Sequence, residues 1–219
     1  MVLPRVLEPE VMDTWEESIA YDAMDFTEVN TSFAREAVEL GPEAGLVLDA
    51  GTGTARIPIL LCQLRSHWNI VGIDLSENML KIGATNIDRA DLKDRIQLQR
   101  VDVKKMPYPD NGFDMVISNT IVHHLPDPMP FWCELRRVLK PGGGILVRDL
   151  LRPESDRAVE ALVSSIGTDY DPHQAKLFRD SLYAAFTLEE VTEMVDRAGL
   201  EGVRIYQSSD RHWTLSRSV

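Results

Sequence analysis

The stretch 46–57, "LVLDAGTGTARI", runs from apolar residues through Asp49 into two glycines set around a threonine. A strand that ends on Gly51 and Gly53 can turn sharply and bare backbone N–H groups to a ligand. The helix expected just behind it favours a negatively charged group at its start. Residues 54–65, "TARIPILLCQLR", read as that helix. Thr54 is the expected N-cap, and Pro58 falls in the first turn, where its missing N–H breaks no helical bond.

Outward from this turn the pattern alternates. Strand-like runs stand at 46–50, 69–74, 95–102, 113–118 and 143–150, with helix-like runs at 76–90, capped by Ser76, and 128–139. Short strands separated by helices of this length indicate right-handed crossovers and a parallel sheet covered on both faces. The tail differs. A helix over 187–199 has a capping box, Thr187 to Glu190, and a glycine stop. The runs 202–207 and 212–217 follow, joined by only "SSDR". Four residues cannot hold a crossover helix, so this pair is expected to be antiparallel. The fold class is therefore α/β, a mostly parallel sheet with helices on both faces.

The chain has 219 residues, which suits one domain with one substantial core. Residues 1–44 read as a helical arm over the sheet edge or the ligand mouth. Residues 151–186 are the least regular part of the second half and read as an insert. No apolar run approaches the roughly 18 residues of a membrane span, and the start "MVLPRVLEPE" lacks the pattern of a secretory signal. Cys62 and Cys133 stand far apart, with neither metal-ligand nor disulfide-framework spacing, so no metal site is expected. A reducing cytoplasm is the simplest location. The net charge of −12 disfavours a nucleic-acid partner and suits a small neutral or cationic one.

In an open parallel sheet, ligands bind at the carboxyl ends of the strands. Asp74 closes the second strand 21 residues after Gly53. An acid at that place can accept from both hydroxyls of a ribose. Asp102 closes the third strand and can accept from the amine of a base, with Val103 and Met79 as apolar faces for the ring. A nicotinamide cofactor is disfavoured because Arg56 stands where G-x-G-x-x-G needs glycine or alanine, and a phosphate cradle of the G-x-x-x-x-G-K-[ST] kind is absent.

"VLDAGTGTARI", "VGIDLSENML", "RVDVKKMPYPDNGFDMVISNTIVHHL" and "LRRVLKPGGGILVRD" together resemble the successive motifs of class I S-adenosylmethionine-dependent methyltransferases, the small-molecule and quinone-biosynthesis type above all. The resemblance is continuous over about 45–150 and returns at 187–200. It implies a Rossmann-like seven-stranded sheet, one antiparallel strand near the C-terminus, and S-adenosylmethionine (SAM) as cofactor. Carried over, Asp49, Ala50, Gly51, Thr52 and Gly53 surround the methionine end of SAM. Asp74 with Leu75 takes the ribose, and Met79, Asp102 and Val103 take the adenine. Asn119 would lie near the sulfonium, and Tyr21 of the arm would cover the cofactor. The family often has a third glycine where this chain has Ala55, which adds only a methyl group at a helix start.

The implied activity is methyl transfer to a small-molecule acceptor. His123 and His124, just past the fourth strand, are the candidate bases. As neighbours in an extended segment they should point to opposite sides, so that only one readily faces the methyl group. Arg152, Tyr170, His173, Phe178, Arg179 and Tyr183 of the insert mix aromatic and charged types suited to a substrate lid. Trp15, Trp132 and Trp213 read as packing residues, and Trp68 as preceding a strand. The amino-methylating motif N-P-P-[YFW] is missing where "SNTIVHH" stands. That disfavours a protein or nucleic-acid methyltransferase. A SAM-binding module without turnover remains the alternative.

Overall fold

A computed structural model describes residues 3–8, 14–24, 26–165 and 171–219. Tyr170 falls outside them, as does the side chain of His173. Strands β1 (Gly45–Ala50), β2 (Trp68–Asp74), β3 (Ile96–Arg100), β4 (Phe113–Asn119), β5 (Leu139–Leu150), β6 (Arg204–Gln207) and β7 (His212–Arg217) form one sheet. Its order is β3-β2-β1-β4-β5-β7-β6. All neighbours from β3 to β5 pair in parallel, and β7 runs antiparallel to both β5 and β6. This is the expected seven-stranded Rossmann-like sheet.

The central strands are buried on both faces, which is why they read as unbroken apolar runs. Alternate residues feed two cores. Val47, Ile70, Met115, Ile117 and Leu146 join α2 (Thr27–Leu40) and α3 (Arg56–Leu64) on one side. Leu48, Val71, Val116, Ile145 and Val147 join α5 (Met129–Val138) and α8 (Leu188–Ala198) on the other. Trp132 and Trp213 are fully buried in this second core. Trp15 is not a packing residue; it lies exposed on α1 (Trp15–Asp22). Trp68 opens β2, and its indole donates to the Pro42 carbonyl at 2.8 Å.

Helix signals read from local chemistry hold where the side chain does the capping. Ser76 accepts from the Met79 N–H at the start of α4 (Glu77–Arg89), and Thr187 and Glu190 form the capping box of α8. Two readings need correction. Residues 151–186 are not irregular: α6 (Asp156–Ser165) and α7 (Pro172–Ala184) occupy most of them and bury a small cluster of Leu150, Val159, Leu182 and Ala185. Nor does Thr54 cap α3. The cap position is Ala55, in the left-handed conformation with φ 61°, and no side chain caps the helix.

A left-handed alanine costs roughly 1–2 kcal/mol, while glycine there would add unfolded-state entropy worth about 0.4–1 kcal/mol. Ala55→Gly is therefore expected to stabilise the fold by up to about 1 kcal/mol, seen as a higher urea midpoint at unchanged slope. A lower midpoint would show that the Ala55 methyl, fully buried in the core, outweighs the strain.

Candidate functional site

The sheet order reverses between β1 and β4, so their carboxyl ends open a crevice there. Both edges of the crevice carry unusual backbone. Gly51 (φ 79°), Gly53 (φ 53°) and Ala55 follow β1, and Thr120 (φ 58°) follows β4. A β-branched residue in that region is rare, and such strain persists only where the surroundings hold it. Thr120 is held by its N–H, which donates to the Arg148 carbonyl at 2.8 Å.

Tyr21, Phe26, Asn30, Gly51, Thr52, Gly53 and Asn119 border a cleft at this point. Its free volume is about 40 Å³, room for a few waters. The arm makes it narrow. Asp22 accepts from the Arg56 guanidinium at 3.0 Å and from the Asn86 amide at 3.1 Å, and its carbonyl accepts from Arg56 at 2.7 Å. Arg56, which argues against a dinucleotide in the sequence, thus clamps the arm onto the glycine turn. Phe26 and Asn30 were not anticipated, and neither carries a local signal.

The acids sit below the turn. Asp74 holds the loop closed: one oxygen accepts from the Gly53 N–H and the other from the Ser76 N–H, each at 2.9 Å. Burial pushes its pKa up in spite of those bonds. Asp49 is buried beside it, and Oδ2 of Asp49 and Oγ1 of Thr52 are buried without a well-formed hydrogen bond. Burial raises the Asp49 pKa to about 7; the Thr52 hydroxyl opposes this and the Asp74 charge adds to it. Ala50 is buried, and its carbonyl accepts from Ser118. Leu75 is half-buried, and its carbonyl accepts from Arg100. Met79 and Val103 are nearly buried. Asp102 does not close β3; it lies beyond the strand's last residue, Arg100, and accepts from the Lys104 N–H.

The histidines also differ from expectation. Val122–His124 form a single 3-10 turn rather than an extended segment. Their rings therefore lie together, centroids 4.1 Å apart, and both reach Glu8 of the N-terminal strap. His123 is buried, and its Nδ1 meets Asp149 of β5 at 2.5 Å. Burial opposes a charged ring, but Asp149 holds the His123 pKa above its ordinary value. Asp149 itself stays low against its burial, through His123 and the Leu150 N–H.

Of the insert residues, Arg152 is a buried structural group that pairs with Glu190 and donates to the Ala185 carbonyl. Phe178 packs in the insert cluster, and Arg179 links α7 to Glu160 of α6. Tyr183 binds Asp156 and lines a second cleft, about 440 Å³, with Val6, Leu7, Glu8 and Asp180. Sequence reasoning missed Arg5 and Glu8, which stand far from their partners in the chain. Among the described residues no helix is long and apolar enough to cross a membrane.

Comparison with known proteins agrees with this geometry. Residues 48–147 match the family model described as a methyltransferase domain. The chain is 37% identical over 108 residues to the demethylmenaquinone methyltransferase of Listeria welshimeri, covering 49% of this chain and 45% of that protein. It is 28% identical over 155 residues to the 27-O-demethylrifamycin SV methyltransferase of Amycolatopsis mediterranei, covering 71% and 53%. The matches thus span about half the length of these relatives. Among solved structures, a candidate SAM-dependent methyltransferase of Methanococcus maripaludis superposes with a TM-score of 0.73 at 22% identity, covering 98% of this chain and 97% of that one. Over residues 48–147 the chain is thus similar to a methyltransferase domain, and its fold is that of the Methanococcus structure.

The buried acid yields a test of the crevice. The folded-state pKa of Asp49, about 7, lies above its ordinary value of 3.8. The folded chain therefore keeps a proton that the unfolded chain releases. The resulting stability is full below about pH 4 and is lost as pH rises to about 7. Asp49→Asn mimics the neutral form, so its stability relative to wild type should rise between pH 4 and 8, by a few kcal/mol at most. Urea titrations at both ends of that range measure it; a constant difference would mean that Asp49 is ionised throughout.

Proposed function

We propose that this chain transfers a methyl group from SAM to a small-molecule acceptor, with the cofactor in the crevice between β1 and β4. The observation that carries the reading is the pair of orphaned buried atoms, Asp49 Oδ2 and Thr52 Oγ1, under a left-handed glycine turn. A buried acid with only the weak Thr52 contact beside it suits a ligand that brings a cationic or donor group, as the methionine end of SAM does. Asp74 would take the ribose hydroxyls with lone pairs left over from Gly53 and Ser76. Met79 and Val103 offer apolar surface for the base, and Asp102 an acceptor at its edge. Asn119 borders the crevice from β4.

The bound cofactor supplies an activated methyl group, so the hard chemistry is its own. The chain's part is to align the acceptor with that methyl and to exclude water. Tyr21 and Phe26 border the crevice and would close over the cofactor, with the arm moving aside for its entry. The 440 Å³ cleft beside α7 suits a small acceptor. An acceptor that loses a proton has His123, His124 and Glu8 available on that side. The two relatives are named for small acceptors, a demethylmenaquinone and a demethylrifamycin. The net charge of −12 supports the same class over nucleic acid.

Titration calorimetry with SAM and with S-adenosylhomocysteine tests the site. Charged hydrogen bonds are worth roughly 1.5–3 kcal/mol each, so Asp74→Ala, checked for folding by circular dichroism, should weaken SAM binding at least about tenfold. An unchanged curve would remove Asp74 from the site. Release of S-adenosylhomocysteine with quinol and phenol acceptors tests turnover, and tight binding with no release across the panel would favour a SAM-binding module.

The arm has its own test. Asp22→Ala removes the side-chain bonds to Arg56 and Asn86 and leaves only the carbonyl bond to Arg56. Hydrogen exchange over 15–24 should then quicken and SAM should associate faster. Unaltered association would mean that entry bypasses the arm.

A further inference from the structure

We propose that Glu8, His123 and His124 form a binding site for one divalent d-block cation, with Zn²⁺ the best fit. The three come from two distant parts of the chain, yet a ligand atom of each lies within 4.8 Å of the other two. Glu8 Oε1 is 3.4 Å from His123 Nε2 and 3.2 Å from His124 Nδ1. These are not hydrogen bonds: Oε1 is buried and takes part in none. They are the spacings of neighbouring ligands around one ion. Zn–N and Zn–O bonds of about 2.0–2.2 Å at tetrahedral angles separate the donor atoms by roughly 3.3–3.6 Å.

The surroundings support each ligand as metal sites require. Asp149 holds Nδ1 of His123 at 2.5 Å, which fixes that nitrogen as the N–H and turns the Nε2 lone pair toward Glu8. The second oxygen of Glu8 accepts from the Ser181 hydroxyl at 3.1 Å. The Glu8 side chain is 8% exposed, so its free oxygen is aimed inward rather than at solvent. Arg5 pins the strap that carries it. Its guanidinium donates to the carbonyls of His123 and Leu125 at 2.8 Å and of Ala184 at 2.6 Å, and lies 3.8 Å over the Phe186 ring. The Val6 N–H adds a bond to the Tyr183 carbonyl at 3.0 Å.

Two neutral imidazoles and one carboxylate form a set that suits Zn²⁺ and its neighbours rather than Mg²⁺ or Ca²⁺, which prefer all-oxygen shells. Three protein ligands also leave a coordination position open, the arrangement of catalytic rather than structural zinc. Glu8 lines the 440 Å³ cleft, so the ion would lie in the wall of that cavity. An ion there would hold an acceptor hydroxyl and ease loss of its proton. That last role rests on the methyltransferase reading; binding of the ion does not.

The test uses the full chain without a histidine tag, stripped with chelator and titrated with Zn²⁺ against a chromogenic competitor. Co²⁺ is titrated in parallel and read by visible absorption. One equivalent should bind, with the strong ligand-field bands of a low-coordinate site. Glu8→Gln and His124→Gln should each weaken binding at least about tenfold, with circular dichroism and thermal midpoint close to wild type. His123→Gln is less informative, because it leaves Asp149 buried without its partner. Absence of stoichiometric binding up to millimolar metal would overturn the proposal. So would binding that Glu8→Gln and His124→Gln leave unchanged. Methyl transfer is not read in this experiment, so loss of the proposed activity would leave the result standing.

Discussion

Where β1 ends there is no room for a side chain. A Cβ on Gly51 would stand 2.1 Å from Cγ2 of Ile121, and the backbone there has φ 79°. The two facts share one cause. The segment after β4 must cross close to the turn after β1, because those strands are neighbours at the reversal of sheet order. Ile121 fills the space that a side chain would take, and the 3-10 turn with both histidines begins at the next residue. Gly53 is different. Among the described residues its Cβ would find only Tyr21, at 3.9 Å, so the left-handed backbone is the main demand there. One glycine makes room for the protein and the other shapes the loop.

The turn is held from three directions. From below, Asp74 ties Gly53 to the start of α4. From above, Asp22 binds Arg56 and Asn86. From β2, the Ile73 carbonyl accepts from the N–H groups of Gly51 and Thr52 at 2.8 and 2.9 Å. This bracing accounts for a left-handed Ala55 where glycine would be easier. The acids carry the opposing cost. Asp49 and Asp74 are buried near each other, and burial raises the pKa of both. The fold tolerates a pair of carboxyls that it does not itself neutralise.

The sheet was legible because its strands are buried on both faces, so each appears as an apolar run bounded by turn residues. The antiparallel end followed from a connection too short for a helix. Caps that use a side chain, at Ser76 and Thr187, were equally legible. The start of α3 was not, because a backbone in the left-handed region leaves no mark on an alanine. Residues 151–186 hid two helices whose apolar stripes cover a satellite cluster, not the main core. At the site, spacing singled out the glycine turn, Asp74 and Asp102, whereas Asp49, Thr52, Asn119 and Tyr21 came from the family resemblance. Glu8 and Arg5 came from neither: "RVLEPE" has no periodicity and its partners lie more than a hundred residues away. Pairing of that kind is set by tertiary packing, and local sequence does not encode it.

The four tryptophans are unequally distributed, and this gives the molecule a built-in optical reporter. Trp68, Trp132 and Trp213 have no solvent exposure, while Trp15 stands exposed at the first turn of the arm helix. A small aqueous quencher therefore meets Trp15 and not the others. The emission it removes belongs to the arm, and the emission it leaves belongs to the two faces of the sheet. Motion of the arm and loosening of the core thus fall into separable parts of one spectrum, with no label attached to the chain.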